Sequence, residues 1–258
     1  MNRYTRNFYE HQRERSRCSA REIVPLVIEL IKPGSVVDIG CGSGAWLSVF
    51  RENNVADIYG LDGDWVDQEM LFIPAERFAK VDLQKPVQLD RQFDLAMSLE
   101  VAEHIPGERA GAFVDSLTIL GPVVLFSAAI PGQGGTHHVN EQWPDYWVNL
   151  FQERGYTVID CLRKKIWSND RVEWWYAQNL LLFVRRDRLE RYPLLLRELD
   201  TTELSQLSIV HPQQYLAARN PENMAVYPLL TALPKMIQSK IRNRLRSWLD
   251  RGSGCNGP

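Results

Sequence analysis

Short apolar runs alternate in the first half of the chain with stretches whose apolar residues recur at helical spacing. The first helical stretch follows Ser19-Ala-Arg-Glu22, a pattern typical of a capping box at a helix start, and ends at Pro33-Gly34. The alternation predicts helices at residues 45–52 and 108–120, and strands at residues 35–39, 57–61, 77–83, 93–99 and 123–130. Since these strands carry apolar residues on both faces, we expect a parallel sheet covered by helices.

The pattern changes after Pro131, where a glycine-rich loop interrupts the alternation. A helix is predicted at residues 144–154, followed by strands at residues 157–163 and 179–185. The polar, Trp-rich stretch between these two strands is typical of an antiparallel addition to a sheet edge. The predicted fold class is therefore α/β, with a mostly parallel seven-stranded sheet, an antiparallel late strand and helices on both faces.

Three regions are predicted along the chain: an N-terminal lid or helix at residues 1–34, a core at residues 35–187 and a helical extension at residues 188–258. The extension includes a basic amphipathic stretch at residues 235–251, in which apolar residues recur at helical spacing among lysines and arginines. Such a helix can bind a membrane interface peripherally. The alternative, which the five-residue apolar stripe favours, is packing on the protein's own core or on the second subunit of a homodimer.

Charge and cysteine content narrow the classes of function. The 258 residues include 30 Lys and Arg against 32 Asp and Glu, giving a formal net charge of −2. The molecule therefore lacks the broad positive field that captures nucleic acid, and a nucleic-acid partner is not expected. The four cysteines are far apart, and no apolar run approaches the roughly 20 residues of a membrane span. These features favour a cytoplasmic protein.

The most informative stretch is Val36-Val-Asp-Ile-Gly-Cys-Gly-Ser-Gly44, an apolar strand that breaks into a glycine-rich turn before a helix. Its D-x-G-x-G-x-G spacing differs from the G-x-G-x-x-G of dinucleotide-binding loops. The stretch resembles the first motif of the class I S-adenosylmethionine (SAM)-dependent methyltransferases, whose fold is Rossmann-like. The resemblance implies that Asp38 helps to hold the methionyl amine, and that the backbone at Gly40 to Gly42 lies against the methionine moiety.

The resemblance continues at the ends of the next strands. It implies that Asp62 binds both ribose hydroxyls, that Asp82 accepts from the adenine amino group with Leu83 packed on the ring, and that Leu99 ends a strand beneath the reacting methyl. The predicted cofactor-binding residues are Asp38, Gly40, Cys41, Gly42, Asp62, Gly63, Asp82, Leu83 and Leu99. The predicted cofactor is SAM.

The acceptor side is predicted from two strings that follow strands, Glu100-Val-Ala-Glu-His104 and residues 134–143. Glu100, Glu103 and His104 would share one face of a short helical turn, a donor set suited to Mg²⁺ or another divalent metal. The string is similar to that of ubiquinone-biosynthesis O-methyltransferases and of small-RNA 3′-terminal 2′-O-methyltransferases. In the RNA group a downstream histidine completes the site, and His137 or His138 would take that part here. Acidic residues near a helix start, without a metal, are the alternative.

The loop histidines are also candidate bases, because a neutral imidazole suits deprotonation of an acceptor hydroxyl. The candidate catalytic residues are His138, His137 and His104, and the candidate metal ligands are Glu100, Glu103, His104 and His138. We expect a methyltransferase that acts on a small-molecule acceptor, on a hydroxyl of a sugar or specialised metabolite. The alternatives are an RNA 3′-end methyltransferase, an N-methyltransferase and a SAM-binding protein without catalysis.

Overall fold

Seven strands form one mixed sheet at the centre of the protein in the order β3-β2-β1-β4-β5-β7-β6. The computed structural model describes residues 6–220, 233–234 and 236–242, with side chains from residue 14 onward. All strand pairs are parallel except those of β7, which is antiparallel to β5 and to β6. The strands are β1 Ser35–Ile39, β2 Asp57–Asp62, β3 Phe78–Lys80, β4 Leu95–Leu99, β5 Val123–Ser127, β6 Tyr156–Ile159 and β7 Leu181–Arg185. The predicted fold class is confirmed.

Helices cover both faces of this sheet. Consecutive strand residues point to opposite faces, so Val36 packs in one apolar cluster with α1, α2 and α6, while Val37 packs in another with α3 and α4. The helices are α1 Arg6–Ile31, α2 Ala45–Glu52, α3 Ala110–Leu120, α4 Pro144–Glu153, α5 Arg163–Ile166, α6 Trp174–Asn179, α7 Pro193–Leu199 and α8 Pro212–Arg219. The burial of both faces explains why the inner strands carry apolar residues on both faces.

The predicted start of the first helix at Ser19 is wrong. Helix α1 begins at Arg6, and the Ser19 hydroxyl lies inside it, donating to the Arg15 carbonyl at 3.1 Å and accepting from the Glu173 amide at 3.0 Å. Arg15 also pairs with the Glu173 carboxylate. These contacts with a distant part of the chain extend the helix beyond the point where the local pattern suggests a cap.

The strand predicted at residues 157–163 is shorter than expected. The observed strand β6 ends at Ile159. The chain then turns into the short helix α5, whose first residue, Arg163, carries its guanidinium into the interior. The side chain of Arg163 is 1% exposed; it donates twice to the Asp160 carboxylate, and to the carbonyls of Gln178 at 2.9 Å and Leu207 at 2.7 Å. One arginine thus joins the sheet edge to the segment that follows α7.

The chain divides into two compact units, residues 1–214 and 215–258. The division predicted from the sequence, after residues 34 and 187, stays a prediction. Residues 236–242 of the predicted basic stretch are helical, with Ile237 and Ile241 exposed, and residues 235 and 243–251 lie outside the described residues. A membrane or homodimer contact through it stays a prediction. Within the described part of the chain, no helix is long and apolar enough to cross a membrane.

We predict that Arg163→Met lowers the free energy of unfolding by about 3–5 kcal/mol, because it leaves the Asp160 carboxylate and two inner carbonyls without their donor. Urea denaturation measures the change. Arg171→Met is the matched control: that side chain is 77% exposed in its pair with Glu22, and its loss should cost less than about 1 kcal/mol. Equal free energies of unfolding for the Arg163→Met variant and the wild type would contradict a stabilising role of the Arg163 guanidinium.

Candidate active site

The glycine-rich loop between β1 and α2 runs through three left-handed positions, with φ of 86° at Gly40, 53° at Gly42 and 75° at Gly44. A Cβ on Gly40 would lie 2.3 Å from a methyl of Val101, so no larger residue fits there. A Cβ on Gly42 would meet no protein atom within 4 Å. The backbone at Gly42 therefore borders open space, as the predicted cofactor contact requires.

Asp62, the last residue of β2, fixes this loop. One carboxylate oxygen accepts from the Gly42 amide at 2.6 Å, and the other accepts from the Gly63 amide at 2.6 Å. Each carboxylate oxygen can accept a further hydrogen bond, so the predicted ribose contact is compatible with these backbone bonds. The loop is also held by Leu61, whose carbonyl accepts from the amides of Gly40 and Cys41.

Asp38 lies beneath the loop with 3% of its surface exposed. Burial, and then the neighbouring Asp62 charge, raise the pKa of Asp38 well above the ordinary value. Burial also raises the pKa of the adjacent Cys41 thiol, which makes that thiol a packing group rather than a nucleophile. Two buried carboxyl groups side by side favour a cationic ligand, because a nearby positive charge stabilises their ionised forms.

The remaining predicted cofactor residues lie on the same edge of the sheet. Leu99 ends β4 and Leu83 is buried, whereas Asp82 is exposed in a turn two residues beyond the end of β3. A hydrogen bond from the backbone amide of Gln84 and, to a smaller extent, one from the Lys85 side chain lower the pKa of Asp82 and keep it ionised. Its oxygens are thus acceptors, as an adenine amino group would require, and that role stays a prediction.

Glu100 does not share a helical face with Glu103 and His104, contrary to the expectation from spacing. Its φ of 56° ends β4 in a left-handed turn, and the following helical turn covers only Ala102–His104. The Glu100 carboxylate accepts hydrogen bonds from the side-chain amides of Gln133 at 2.9 Å and Asn179 at 3.1 Å. The backbone turn thus directs this carboxylate to a buried amide network, although burial raises its pKa.

The structure does bring three candidate ligands together. One potential ligand atom from each of Glu103, His104 and His138 lies within 4.8 Å of the others. Glu103 is 1% exposed, and its Oε2 has no hydrogen-bond partner. Burial, and then the charge of Glu100, raise the pKa of Glu103 well above its usual range, while burial lowers the pKa of His104. A cation or a proton would satisfy the unpartnered oxygen.

Both imidazoles of this cluster have an acceptor at Nδ1. His138 Nδ1 lies 2.9 Å from Glu141 Oε1, and His104 Nδ1 lies 3.3 Å from the carbonyl of His137. Donation of Nδ1–H to these oxygens leaves each Nε2 with a free lone pair, and this is the arrangement that metal-bound histidines usually have. The donor set of two imidazoles and one carboxylate therefore fits a divalent ion.

His137 contributes its backbone rather than its ring. Its φ of 62° turns the chain, its carbonyl faces His104, and its side chain is exposed. Of the two loop histidines, the structure therefore brings the ring of His138 to the cluster.

Sequence reasoning missed the side-chain amides that bind Glu100 and the loop after β5. The side chains of Gln133, Gln178 and Asn179 hydrogen-bond to one another, and the side-chain amide nitrogen Nε2 of Gln214 donates to the carbonyl of Gly132 at 2.6 Å. The only local signal is the polar pair Gln178-Asn179 directly before the apolar strand β7. Gln214 has no such signal, because the contact joins residues 82 positions apart.

The strand order, the glycine-rich loop and the acidic residues at the strand ends together define a Rossmann-like class I SAM-dependent methyltransferase. A family model described as a methyltransferase domain matches residues 9–160, more than half of the chain, and the protein belongs to this family. Its cofactor is SAM. No curated protein sequence matches the chain.

Solved methyltransferase structures share the fold. DesVI from Streptomyces venezuelae is 16% identical, with a TM-score of 0.52 over 69% of this chain and 95% of that chain. SAM-bound CalS10, an amino pentose methyltransferase from Micromonospora echinaspora involved in calicheamicin biosynthesis, is 14% identical, with a TM-score of 0.50 over 72% of this chain and 99% of that chain. At these identities the likeness concerns the fold alone.

We predict that SAM binding releases protons from the buried acids at the glycine-rich loop. The pKa of Asp38 is raised in the free protein, and a cationic ligand favours its ionised form, so SAM affinity should increase as the pH rises through that raised pKa. Titration calorimetry in buffers of different ionisation enthalpy measures the released protons. Asp38→Asn should release fewer, and the exposed neighbour variant Asp64→Asn should release as many as the wild type. Proton uptake on binding would contradict the assignment.

Proposed function

We propose that this SAM-dependent methyltransferase methylates a hydroxyl group of a small-molecule acceptor, such as a sugar or specialised metabolite. The observation that carries the proposal is the cluster of Glu103, His104 and His138. It follows β4 and β5 in the chain, at the carboxyl ends where open α/β sheets bind their ligands.

The chemistry of the transfer explains why such a cluster favours oxygen over nitrogen. The acceptor oxygen forms a bond to the methyl carbon while the bond from that carbon to sulfur breaks, and the hydroxyl proton must leave. A neutral amine attacks through a lone pair that is already free, whereas a hydroxyl needs assistance with its proton. His138 Nδ1 lies 2.9 Å from Glu141 Oε1; with Nδ1 as the donor, Nε2 keeps a lone pair and is a suitable proton acceptor.

The same cluster fits a divalent ion held by Glu103, His104 and His138. When bound, such an ion supplies a positive charge that acidifies and orients the acceptor hydroxyl. The protein's own part is to keep the ligands ready: Glu141 and the carbonyl of His137 hold the two rings, and the unpartnered Glu103 Oε2 lies buried beside them. We propose the ion-bound form as the active one; His138 Nε2 would then be a ligand, and the acidified hydroxyl would lose its proton to water. Unaided base catalysis by His138 Nε2 is the alternative.

Charge and surface composition favour a neutral small molecule over an RNA 3′ end. The net charge is −2, and the cluster adjoins the carboxyl groups of Glu100 and Glu141, which would repel a phosphate. Val139 and Trp143, close to His138 in the chain, are 63% and 41% exposed. An exposed indole is a suitable surface for the face of a sugar or a planar ring.

We predict that acceptors offering a hydroxyl, tested with SAM, yield O-methylated products, because the cluster provides for loss of the hydroxyl proton. The measurement is mass spectrometry of a panel that pairs hydroxylated sugars and polyketides with their amino analogues, and includes a short RNA with a free 3′ end. Methylation of the amino analogues alone would support N-methylation. Methylation of the RNA alone would support the RNA alternative, and SAM binding without any transfer would support a non-catalytic role.

We predict that the wild-type protein binds Mn²⁺, because three preorganised donors include an oxygen without a partner. Electron paramagnetic resonance measures free Mn²⁺, and Glu103→Gln and His104→Ala should each weaken binding by about 10-fold or more. Chelator should suppress turnover. His137→Ala is the control: it keeps the backbone carbonyl that holds His104, and should bind Mn²⁺ as the wild type does.

The base alternative gives a different set of results. Unchanged turnover in chelator, no Mn²⁺ binding, and a kcat lowered by about 10²–10⁴-fold in His138→Ala would favour His138 acting without an ion. SAM affinity should stay as in the wild type in that variant.

A further inference from the structure

We propose that Glu141 is a positioning residue that selects the Nδ1–H tautomer of His138 and holds its ring toward Glu103. This inference rests on the proposed function, since it assigns to Glu141 the task of keeping His138 Nε2 free for an ion or a proton. Among the described residues, the hydrogen-bond partners of the Glu141 carboxylate are Gly132, Gly134 and His138. It makes no described hydrogen bond to Glu103 or His104, or to the loop between β1 and α2.

The Glu141 carboxylate is fixed by three donors. Oε1 lies 2.9 Å from His138 Nδ1 and accepts from the Gly134 amide at 2.7 Å, while Oε2 accepts from the Gly132 amide at 2.8 Å. Gly132 and Gly134 both have positive φ, 82° and 71°, and this conformation turns their N–H groups toward one anion. The carboxylate therefore has little freedom to leave the imidazole.

On the other side of the ring, no hydrogen bond from His138 Nε2 to any residue that the structure describes competes with this one. Glu103 Oε1 lies 3.9 Å from His138 Nε2, beyond the range of a hydrogen bond. Gly135 lies against the ring, because a Cβ there would be 2.2 Å from His138 Nε2. The close anionic acceptor at Nδ1 thus decides which nitrogen carries the proton, and the missing side chain at residue 135 leaves room for the ring.

The loop has a second anchor that provides a matched control. Gln214 Nε2 donates to the carbonyl of Gly132 at 2.6 Å, so it restrains the same loop without contacting His138. Gln214→Ala should therefore loosen the loop and leave the tautomer unchanged. A purely structural role of Glu141 would make both variants behave alike.

The experiment measures ring nitrogen shifts in protein labelled with ¹⁵N-histidine, at a pH where the imidazole is neutral, with His138→Gln used to assign the signals. We expect the wild type and Gln214→Ala to show Nδ1–H at His138, Glu141→Ala to shift toward Nε2–H, and Glu141→Gln, whose carbonyl oxygen still accepts, to restore part of the Nδ1–H form. Mn²⁺ affinity should fall by about 10–100-fold in Glu141→Ala with SAM affinity unchanged.

Wild-type shifts in Glu141→Ala, or an equal change in Gln214→Ala, would overturn the proposal. The tautomer is measured without acceptor or turnover, so a failure of the proposed O-methylation is distinguishable from a failure of this inference. If Glu141→Ala does not fold, Glu141→Met, which is similar in size and has no oxygen acceptor, decides the question: a shift toward Nε2–H supports the role, and ring shifts identical to those of the wild type and Gln214→Ala oppose it.

Discussion

The backbone carbonyl of Glu103 accepts hydrogen bonds from two amides, those of Val139 at 2.9 Å and Asn140 at 3.0 Å. This pair of bonds ties the turn after β4 to the long loop after β5. His138 precedes the first of these amides, and His104 follows Glu103, so the two bonds determine that both rings meet. The two histidines lie in different loops, and this junction brings the ring of His138 close to Glu103 and His104.

The elements that the sequence predicts well are those whose signals are local. The strand at residues 35–39 is observed with the predicted bounds, because it is apolar on both faces and ends at a glycine that no other residue can replace. Ser19 shows the limit of local signals, since its hydroxyl satisfies a carbonyl within α1 and an amide from residue 173, instead of capping a helix. Contacts across more than a hundred residues decided that outcome.

The candidate site was predictable in composition and less so in geometry. The E-x-x-E-H string supplies the right residue types, but the assumption of one helical face fails at Glu100, where a left-handed φ sends the carboxylate to Gln133 and Asn179. Spacing alone does not reveal this turn, because glutamate rarely adopts it. The choice of His138 over His137 likewise depends on Glu141, whose carboxylate is fixed by two loop glycines.

The buried acids also explain how one site can treat substrate and product differently. SAM carries a sulfonium and an ammonium, and transfer of the methyl group converts the sulfonium to a neutral thioether. The free protein has raised pKa values at Asp38 and Glu103 because both carboxyl groups are buried near another carboxylate. Positive charge relieves that unfavourable burial, and the relief is larger for SAM than for its demethylated product. We therefore expect these carboxyl groups to favour SAM over its demethylated product, which keeps the ammonium and loses only the sulfonium charge.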